Sequence, residues 1–182
     1  FLGNGQAATL SRVGLPIGAF YGFRTNGVFQ NAAELNAYPH DSNAEVGDLR
    51  FVDINNDGKI TDADRTYIGS PIPTFIYGFN FQVGWKGIEL TADFQGQSGN
   101  KILNGKEIVR PDPYNFEKHV INRWTGEGTS TTEPRSSFGG YNYSISDRFI
   151  QSGAYLRLRS LTLAYSLPSA WLQKVAIKNV KV

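Results

Sequence analysis

Hydrophobic and polar residues alternate with a period of two along the segment 74–85. Its odd positions, from Phe75 to Trp85, are apolar or aromatic, and its even positions are mostly small or polar. The segment 88–96 alternates in the same way, and its apolar positions start at Ile88. A period of two is typical of a β-strand with one apolar face. Both segments are therefore predicted to be strands.

Only the dipeptide Lys86-Gly87 separates these two strands, which predicts a two-residue β-hairpin turn. In the register that this turn imposes, the apolar positions of both strands lie on the same face. A shift by one residue would destroy that agreement. The predicted register pairs Trp85 with Ile88 and Phe79 with Phe94.

The apolar face of the hairpin has two possible environments. From Phe75 to Trp85 the first strand is about as long as a tilted membrane strand. In a membrane barrel its apolar face contacts lipid, and in a soluble sandwich it is buried in the core. The alternation alone leaves both possibilities open. In the barrel, the residues predicted to face lipid are Phe75, Tyr77, Phe79, Phe81, Leu90 and Phe94, and Trp85 and Tyr165 suit an interfacial aromatic girdle.

Weaker strand patterns occur elsewhere in the chain. The segment 155–167 is a predicted strand, and Pro168 ends it. Its apolar phase shifts by one residue near Arg159 and Ser160, which indicates either a bulge or a membrane boundary. The segment 13–23 is apolar at odd positions but rich in glycine, so it is a weaker strand prediction. Residues 169–174 are predicted to form a helical turn, and residues 175–182 are predicted to start another strand.

The connections between these strands differ greatly in length. The Lys86-Gly87 turn is very short, whereas the segments 24–73 and 97–152 are long, polar and aromatic. Compact soluble domains seldom carry loops of that length. Outer-membrane barrels do, because their periplasmic turns are short and their extracellular loops are long. This asymmetry favours an all-β fold made of antiparallel transmembrane barrel strands.

Composition excludes several other classes. The chain of 182 residues has no apolar run near the roughly 20 residues that a membrane helix needs. It has no cysteine, so disulfides and thiolate metal sites are excluded. A net charge of +2 does not favour binding to nucleic acid.

The segment 53–64 matches the template of a calcium-binding loop. Oxygen donors recur at alternate positions, and Gly58 at the sixth position allows the sharp turn. The predicted ligands of a structural Ca²⁺ are the side chains of Asp53, Asn55, Asp57 and Asp64 and the backbone carbonyl of Lys59. The alternative is an Asp/Asn/Gly turn without an ion.

No arrangement of residues predicts catalysis, and the chain is not expected to be an enzyme. His40 and His119 lie far apart in the sequence, with no helper residues at a recognisable spacing. Glu89 and Asp93 lie about 13 Å apart along one strand, which exceeds the separation of a glycosidase pair. They suit a wet lumen or a solvated face, as do Arg157 and Arg159. Five aromatic residues of the second long loop are weaker candidates for contact with a substrate or a lid protein, and ordinary loop packing is the alternative: Tyr114, Phe116, Trp124, Tyr141 and Tyr143.

Several long segments together resemble the SusC/RagA family of TonB-dependent outer-membrane transporters. They include GLPIGAFYGF at 14–23, GVFQ at 27–30 and GDLRFVDINNDGKITDADR at 47–65. IGSPIPTFIYGFNF follows at 68–81. The last are FQG at 94–96, SDRFI at 146–150 and YLRLRSLTLAYSLP at 155–168. The resemblance covers nearly the whole chain.

The resemblance implies a barrel of about 22 strands with an N-terminal plug in the outer membrane of a Gram-negative bacterium. Such a protein imports oligosaccharides or peptides, driven by TonB and capped by a SusD-like lipoprotein. Residues 1–182 would be the C-terminal part of that barrel, without the plug, and the 53–64 and 97–152 loops would be extracellular. The chain would then need membrane lipid and the remaining strands or plug as partners. The alternative function is a soluble, calcium-stabilised β module that binds glycan or another protein.

Overall fold

The computed structural model describes residues 7–109, 117–137, 139–168 and 180–182. This described part is dominated by antiparallel strands, with two short helices, α1 (Ala32–Ala37) and α2 (Lys106–Val109). None of its helices has the length and apolar character required to cross a bilayer. The strands are β1 (Thr9–Leu10), β2 (Ala19–Gly22), β3 (Thr25–Val28), β4 (Leu49–Phe51), β5 (Thr66–Gly69), β6 (Phe75–Trp85), β7 (Ile88–Ser98), β8 (Lys101–Leu103), β9 (Ile150–Ser152) and β10 (Tyr155–Tyr165).

The chain divides into two compact units. Residues 73–100 and 153–182 form the strand unit, and residues 1–72 and 101–152 form the loop unit. The strand unit is a three-stranded antiparallel sheet in the order β10-β7-β6. Each of its strands has 11 residues.

The predicted hairpin register is confirmed. Trp85 pairs with Ile88, and Phe79 pairs with Phe94. The second strand runs to Ser98, two residues further than its alternation predicted. Between the strands, both turn residues are left-handed, with φ of 47° at Lys86 and 87° at Gly87. Positive φ at both central residues is the property of a type I′ turn, whose twist matches that of the flanking strands.

The predicted bulge in the third strand is also confirmed. Leu158 pairs with Phe94 and Ser160 pairs with Asp93, so Arg159 is an extra residue between two consecutive partners. The strand ends at Tyr165, slightly before its predicted end.

Two predictions concern the residues after this strand. Ser166 forms an antiparallel bridge with Lys181, which agrees with a new strand starting before residue 182. The predicted helical turn at 169–174, and the remainder of the predicted strand up to residue 179, lie outside the described residues.

The two long connections are not simple loops, which corrects their prediction. They fold into the loop unit, with one sheet in the order β1-β2-β5 and two further strand pairs, β3-β4 and β8-β9. The second connection also begins later than predicted, because β7 includes residues 97 and 98. All seven of these strands have only two to four residues. Segments of that length are too short to show an alternation of period two.

The strand predicted at 13–23 is correct only from Ala19 to Gly22. The preceding residues form turns, with a hydrogen bond from Leu15 N–H to Arg12 C=O at 3.0 Å. Gly14 has a φ of 89°, a left-handed conformation that an extended strand does not adopt.

The apolar core lies in the loop unit and consists of two clusters. Each cluster packs residues from the first part of the loop unit (1–72) against residues of the second connection. One contains Ala8, Ile108, Ile145 and Phe149. The other contains Val28, Leu49, Phe51 and Ile60, with Phe23, Trp124 and Tyr141 packed against them.

Candidate functional site

One face of the strand unit carries apolar side chains on all three strands. Residues that pair directly across antiparallel strands project from the same face. The register therefore places the apolar positions of the three strands in rows that cross the sheet. From the open end to the turn end, these rows are Tyr77–Gly96–Leu156, Phe79–Phe94–Leu158, Phe81–Ala92–Leu161, Val83–Leu90–Leu163 and Trp85–Ile88–Tyr165.

This apolar face is exposed. The exposed fraction is 61% for Phe75, 66% for Trp85 and 70% for Leu163. Of the six residues predicted to face lipid, Phe75, Phe79 and Phe81 are exposed, and Tyr77, Leu90 and Phe94 are half-buried. Burial in an apolar environment stabilises each large apolar side chain by about 1.5–3 kcal/mol. Such a surface is larger than soluble monomers normally expose.

The dimensions of this face match a bilayer. Ten residue steps from Phe75 to Trp85 at about 3.3 Å extend roughly 33 Å, which spans about 25 Å at a tilt near 40°. That is about the height of the apolar band of an outer-membrane barrel. Trp85 and Tyr165 share the row nearest the turn, and the Nζ atom of Lys86 lies 4.9 Å from the Trp85 ring centroid. An amphipathic ring beside a cation suits the membrane–water interface.

The opposite face of the same sheet is polar. Asn80 Nδ2 donates to Asp93 Oδ1 at 2.5 Å, and Gln82 Nε2 donates to Glu89 Oε1 at 3.1 Å. The Nζ atom of Lys181 lies 2.8 Å from Glu89 Oε2. Both carboxylates of this face thus have hydrogen-bond partners on other strands or at the end of the chain.

The predicted calcium loop closes around its first aspartate. The carboxylate of Asp53 accepts three backbone N–H bonds from within the loop, so its charge faces inward. The donors to Oδ1 are Asn56 at 2.7 Å and Asp57 at 3.3 Å, and the donor to Oδ2 is Gly58 at 2.9 Å.

Asn55 and Asp57, the next two predicted calcium ligands, form local turns. Asn55 Oδ1 accepts from Asp57 N–H at 3.0 Å, and Asp57 Oδ1 accepts from Lys59 N–H at 2.9 Å. Gly58 has a φ of 81°, the left-handed conformation that the sixth position of a calcium loop needs. Alternate oxygen donors and this glycine give the segment the turn of a calcium loop.

Asp64, the last predicted ligand, is fully buried. Its Oδ1 accepts from Ile54 N–H at 2.9 Å, and its Oδ2 accepts from Thr61 N–H at 2.8 Å. Burial opposes ionisation of this carboxyl, but hydrogen bonds from Thr61, Ile54 and Asn55 outweigh it and lower the pKa of Asp64. The side chain thereby joins the two ends of the loop.

Two of the five aromatic candidates lie against the apolar core of the loop unit. Trp124 and Tyr141 pack against the second core cluster, and the ring of Tyr141 lies 4.8 Å from that of Phe51. Burial raises the pKa of the Tyr141 phenol. Tyr143 is half-buried, and Tyr114 and Phe116 lie outside the described residues. The contacts of Trp124 and Tyr141 are those of ordinary packing.

The two histidines lie in separate surroundings. His40 Nδ1 lies 2.8 Å from Tyr38 C=O, and His119 Nε2 lies 3.7 Å from Glu133 Oε2. Within the described ranges, no three or more His, Cys, Asp or Glu side chains form a group suited to hold a metal ion.

The sequence did not predict a buried polar cluster around Asp48. Asp48 bonds to Arg135 at 2.7 Å and to Asn142 at 2.8 Å, and these partners are 87 and 94 residues away. The only sequence signal was the pair of opposite charges, and nothing in the spacing marks them as partners.

The comparisons with known proteins agree with this geometry. No family model matches the chain. TonB-dependent receptor P3 of Formosa agariphila is 33% identical over 94% of the chain, and receptor P26 of the same organism is 29% identical over all of it. TonB-dependent receptor SusC of Bacteroides thetaiotaomicron is 22% identical over 93%. The chain spans only 17%, 18% and 15% of the lengths of these curated relatives.

Solved structures share the fold. The RagAB peptide transporter matches 96% of the chain with a TM-score of 0.70 and 20% identity. The RagAB peptide importer in its open-open state matches 97% with a TM-score of 0.68. In each case the chain covers 19% of the matched structure. The chain thus shares the antiparallel-strand fold of the matched part of these structures, and it belongs to the SusC/RagA family of TonB-dependent receptors.

Proposed function

We propose that this chain is the C-terminal barrel wall, with its extracellular loops, of a TonB-dependent importer in the outer membrane of a Gram-negative bacterium. The observation that carries the proposal is the exposed apolar face of the strand unit. Its height suits the bilayer, and the polar opposite face suits a water-filled lumen. The short Lys86-Gly87 turn then lies on the periplasmic side, and the loop unit lies outside the cell.

Cysteine labelling of the full-length protein tests this orientation. Single cysteines at Phe81 and Gln82, in an otherwise cysteine-free protein, occupy adjacent positions on opposite faces. In lipid vesicles, the cysteine of Phe81→Cys should react poorly with water-soluble maleimide, and a fluorophore attached to it should be quenched by nitroxide lipids. A label at Gln82→Cys should behave in the opposite way. Equal access of maleimide to both positions, with no lipid quenching, supports the soluble β module instead.

We propose that the imported substrate is an oligosaccharide or a peptide and that a SusD-like surface lipoprotein covers the loop unit. The support is the likeness to SusC and to the RagAB peptide importer. Affinity purification of the full-length protein from its native outer membrane should recover a surface lipoprotein. Recovery of the transporter without any such lipoprotein, under mild detergent, contradicts this partnership.

We also propose that the 53–64 loop binds a structural calcium ion. The support is the donor set of Asp53, Asn55 and Asp57 with the left-handed Gly58. The backbone carbonyl of Lys59 and the carboxylate of Asp64 complete the proposed set. Calcium would offset the repulsion between these carboxylates and link the two ends of the loop. Because few carboxylates contribute, we expect the affinity of an extracellular module, with a Kd of about 10⁻⁴–10⁻³ M.

Calorimetric titration of the full-length protein with calcium tests this site. Asp57→Asn should weaken binding. The matched control Asp62→Asn should not, because Asp62 is outside the proposed ligand set and its exposed carboxylate lies 4.0 Å from Arg65. An absence of binding heat at about millimolar calcium, with the loop unchanged in chelator, leaves the turn without an ion.

A further inference from the structure

The polar face of the strand unit contains an open depression at the bulge of β10. Its volume is about 590 Å³. Six of its lining residues are at polar-face positions, Ile76, Gly78, Asn80, Asp93, Gln95 and Arg159, and the strand positions between them, Tyr77, Phe79 and Phe94, also contribute. Gly78 lacks a side chain, which leaves space in the row that it shares with Gln95.

The bulge determines where Arg159 points. Regular alternation from Leu158, on the apolar face, would place the next residue on the polar face and Ser160 on the apolar face again. Because Arg159 is the extra residue of the bulge, Arg159 and Ser160 both lie on the polar face after Leu158. Ser160 pairs with Asp93 on that face. β-Bulges commonly re-aim a side chain in this way. Arg159 therefore borders the polar depression.

Arg159 differs from the other charged residues of this face. Glu89 bonds to Lys181, Asp93 bonds to Asn80, and Arg157 Nη2 lies 3.5 Å from Gln95 Oε1. Arg159 is exposed, and among the described residues it has no hydrogen bond or ion pair. Within the described part of the chain, the guanidinium donors of Arg159 therefore remain available to another group.

We infer that Arg159 and this depression form a subsite for a carboxylate group of the transported substrate. A guanidinium presents a planar pair of donors that matches a carboxylate in a bidentate geometry. The side-chain amide of Gln95 lines the same depression and offers further donors. The negative charge of Asp93 is partly offset, because its Oδ1 accepts the Asn80 amide at 2.5 Å. The inference rests on the proposed import function, and it selects substrates with a free carboxylate, such as peptides or uronate-containing oligosaccharides, over substrates without one.

The test uses the full-length importer, purified in detergent, and two pairs of probes. One pair is a tryptic peptide pool with free carboxylates and the same pool after methyl esterification. The other pair is a galacturonate trisaccharide and its methyl ester. For at least one of the two pairs, the wild-type protein should retain the probe with free carboxylates about tenfold better than its methyl ester. Arg159→Gln should abolish that preference, and Arg159→Lys should keep part of it. Arg157→Gln, which removes the same charge two residues away, should keep most of it.

The other outcomes overturn the inference in distinguishable ways. Equal retention of free and esterified probes by the wild type rejects the carboxylate subsite and leaves the import function intact. Retention of neither form of either pair rejects both the subsite and the proposed substrates. If Arg159→Gln instead lowers the melting temperature and weakens both forms equally, Arg159 pairs with a carboxylate of the protein itself.

Discussion

Arg135 donates two hydrogen bonds to the carboxylate of Asp48, from Nε to Oδ1 at 2.7 Å and from Nη2 to Oδ2 at 3.3 Å. The two residues are 87 positions apart, and each belongs to a different long connection. Asp48 is only 1% exposed, and Asn142 and the backbone of Glu45 supply further donors. The hydrogen bond to Asp48 raises the pKa of Arg135. This ion pair joins the two connections into one folded unit.

Arg135→Ala should therefore loosen the loop unit. The substitution leaves a buried carboxylate without its cation, which costs about 3 kcal/mol. Amide hydrogen exchange of residues 45–52 in the full-length protein should show the lowered local stability. Arg123→Ala is the control, because Arg123 is exposed and, among the described residues, its side chain makes one hydrogen bond, at 3.4 Å to Val120 C=O. Equal exchange in both variants would show that the ion pair contributes little.

The 53–64 loop should open at acid pH. The pKa of Asp64 is lower in the folded protein than the ordinary aspartate value of about 3.9, so the unfolded chain binds the proton more readily. The stabilisation from Asp64 is complete above that ordinary value and is lost as the pH falls through the folded pKa. Exchange of the Ile54 and Thr61 amides should therefore stay slow near neutral pH and accelerate only in strong acid. Asp64→Asn should already exchange faster at neutral pH, whereas an unaltered rate in that variant would contradict the assignment.

Tyr77 covers Gly96 on the neighbouring strand, and its hydroxyl donates to Tyr155 C=O at 3.2 Å. A Cβ atom at Gly96 would lie 2.4 Å from the Tyr77 ring. Gly96→Ala should displace that ring and destabilise the barrel by about 1–2 kcal/mol, as measured by urea unfolding of the full-length protein in detergent.

Two further variants show whether Tyr77 causes that loss. Gly84→Ala should be almost neutral, because its nearest contact would be Ile88 C=O at 3.9 Å. In a Tyr77→Ala background, the Gly96→Ala substitution should cost much less, since the clash is gone. If the losses from Gly96→Ala and Tyr77→Ala are additive, Gly96→Ala acts through the backbone and not through a clash with the Tyr77 ring.

The hairpin turn should be sensitive to its second residue and tolerant at its first. Gly87 has a φ of 87°, so Gly87→Val should destabilise the barrel by about 1–2 kcal/mol and slow its folding. Lys86 has a φ of 47°. Lys86→Asn should be neutral or slightly stabilising, because asparagine adopts left-handed conformations more readily. Refolding rates into detergent measure both effects, and equal rates for the two variants would contradict a type I′ turn.

The sequence by itself determined the strand unit. The period-two alternation, the short Lys86-Gly87 turn and the phase shift at Arg159 correctly predicted the hairpin register and the bulge. These features are local, because a strand of 11 residues repeats its pattern often enough to define one face. The same alternation fits a soluble sandwich core equally well, and only the structure showed that the apolar face is exposed.

The tertiary structure alone decided the form of the loop unit. Its strands of two to four residues carry no periodic signal. They are fixed by contacts between distant segments, such as Asp48 with Arg135 and Trp124 with the second core cluster. Partners about 90 residues apart leave no trace in spacing or composition, since chain folding alone brings them together. Two polar connections therefore read as loops in the sequence, although their side chains join them into one compact unit.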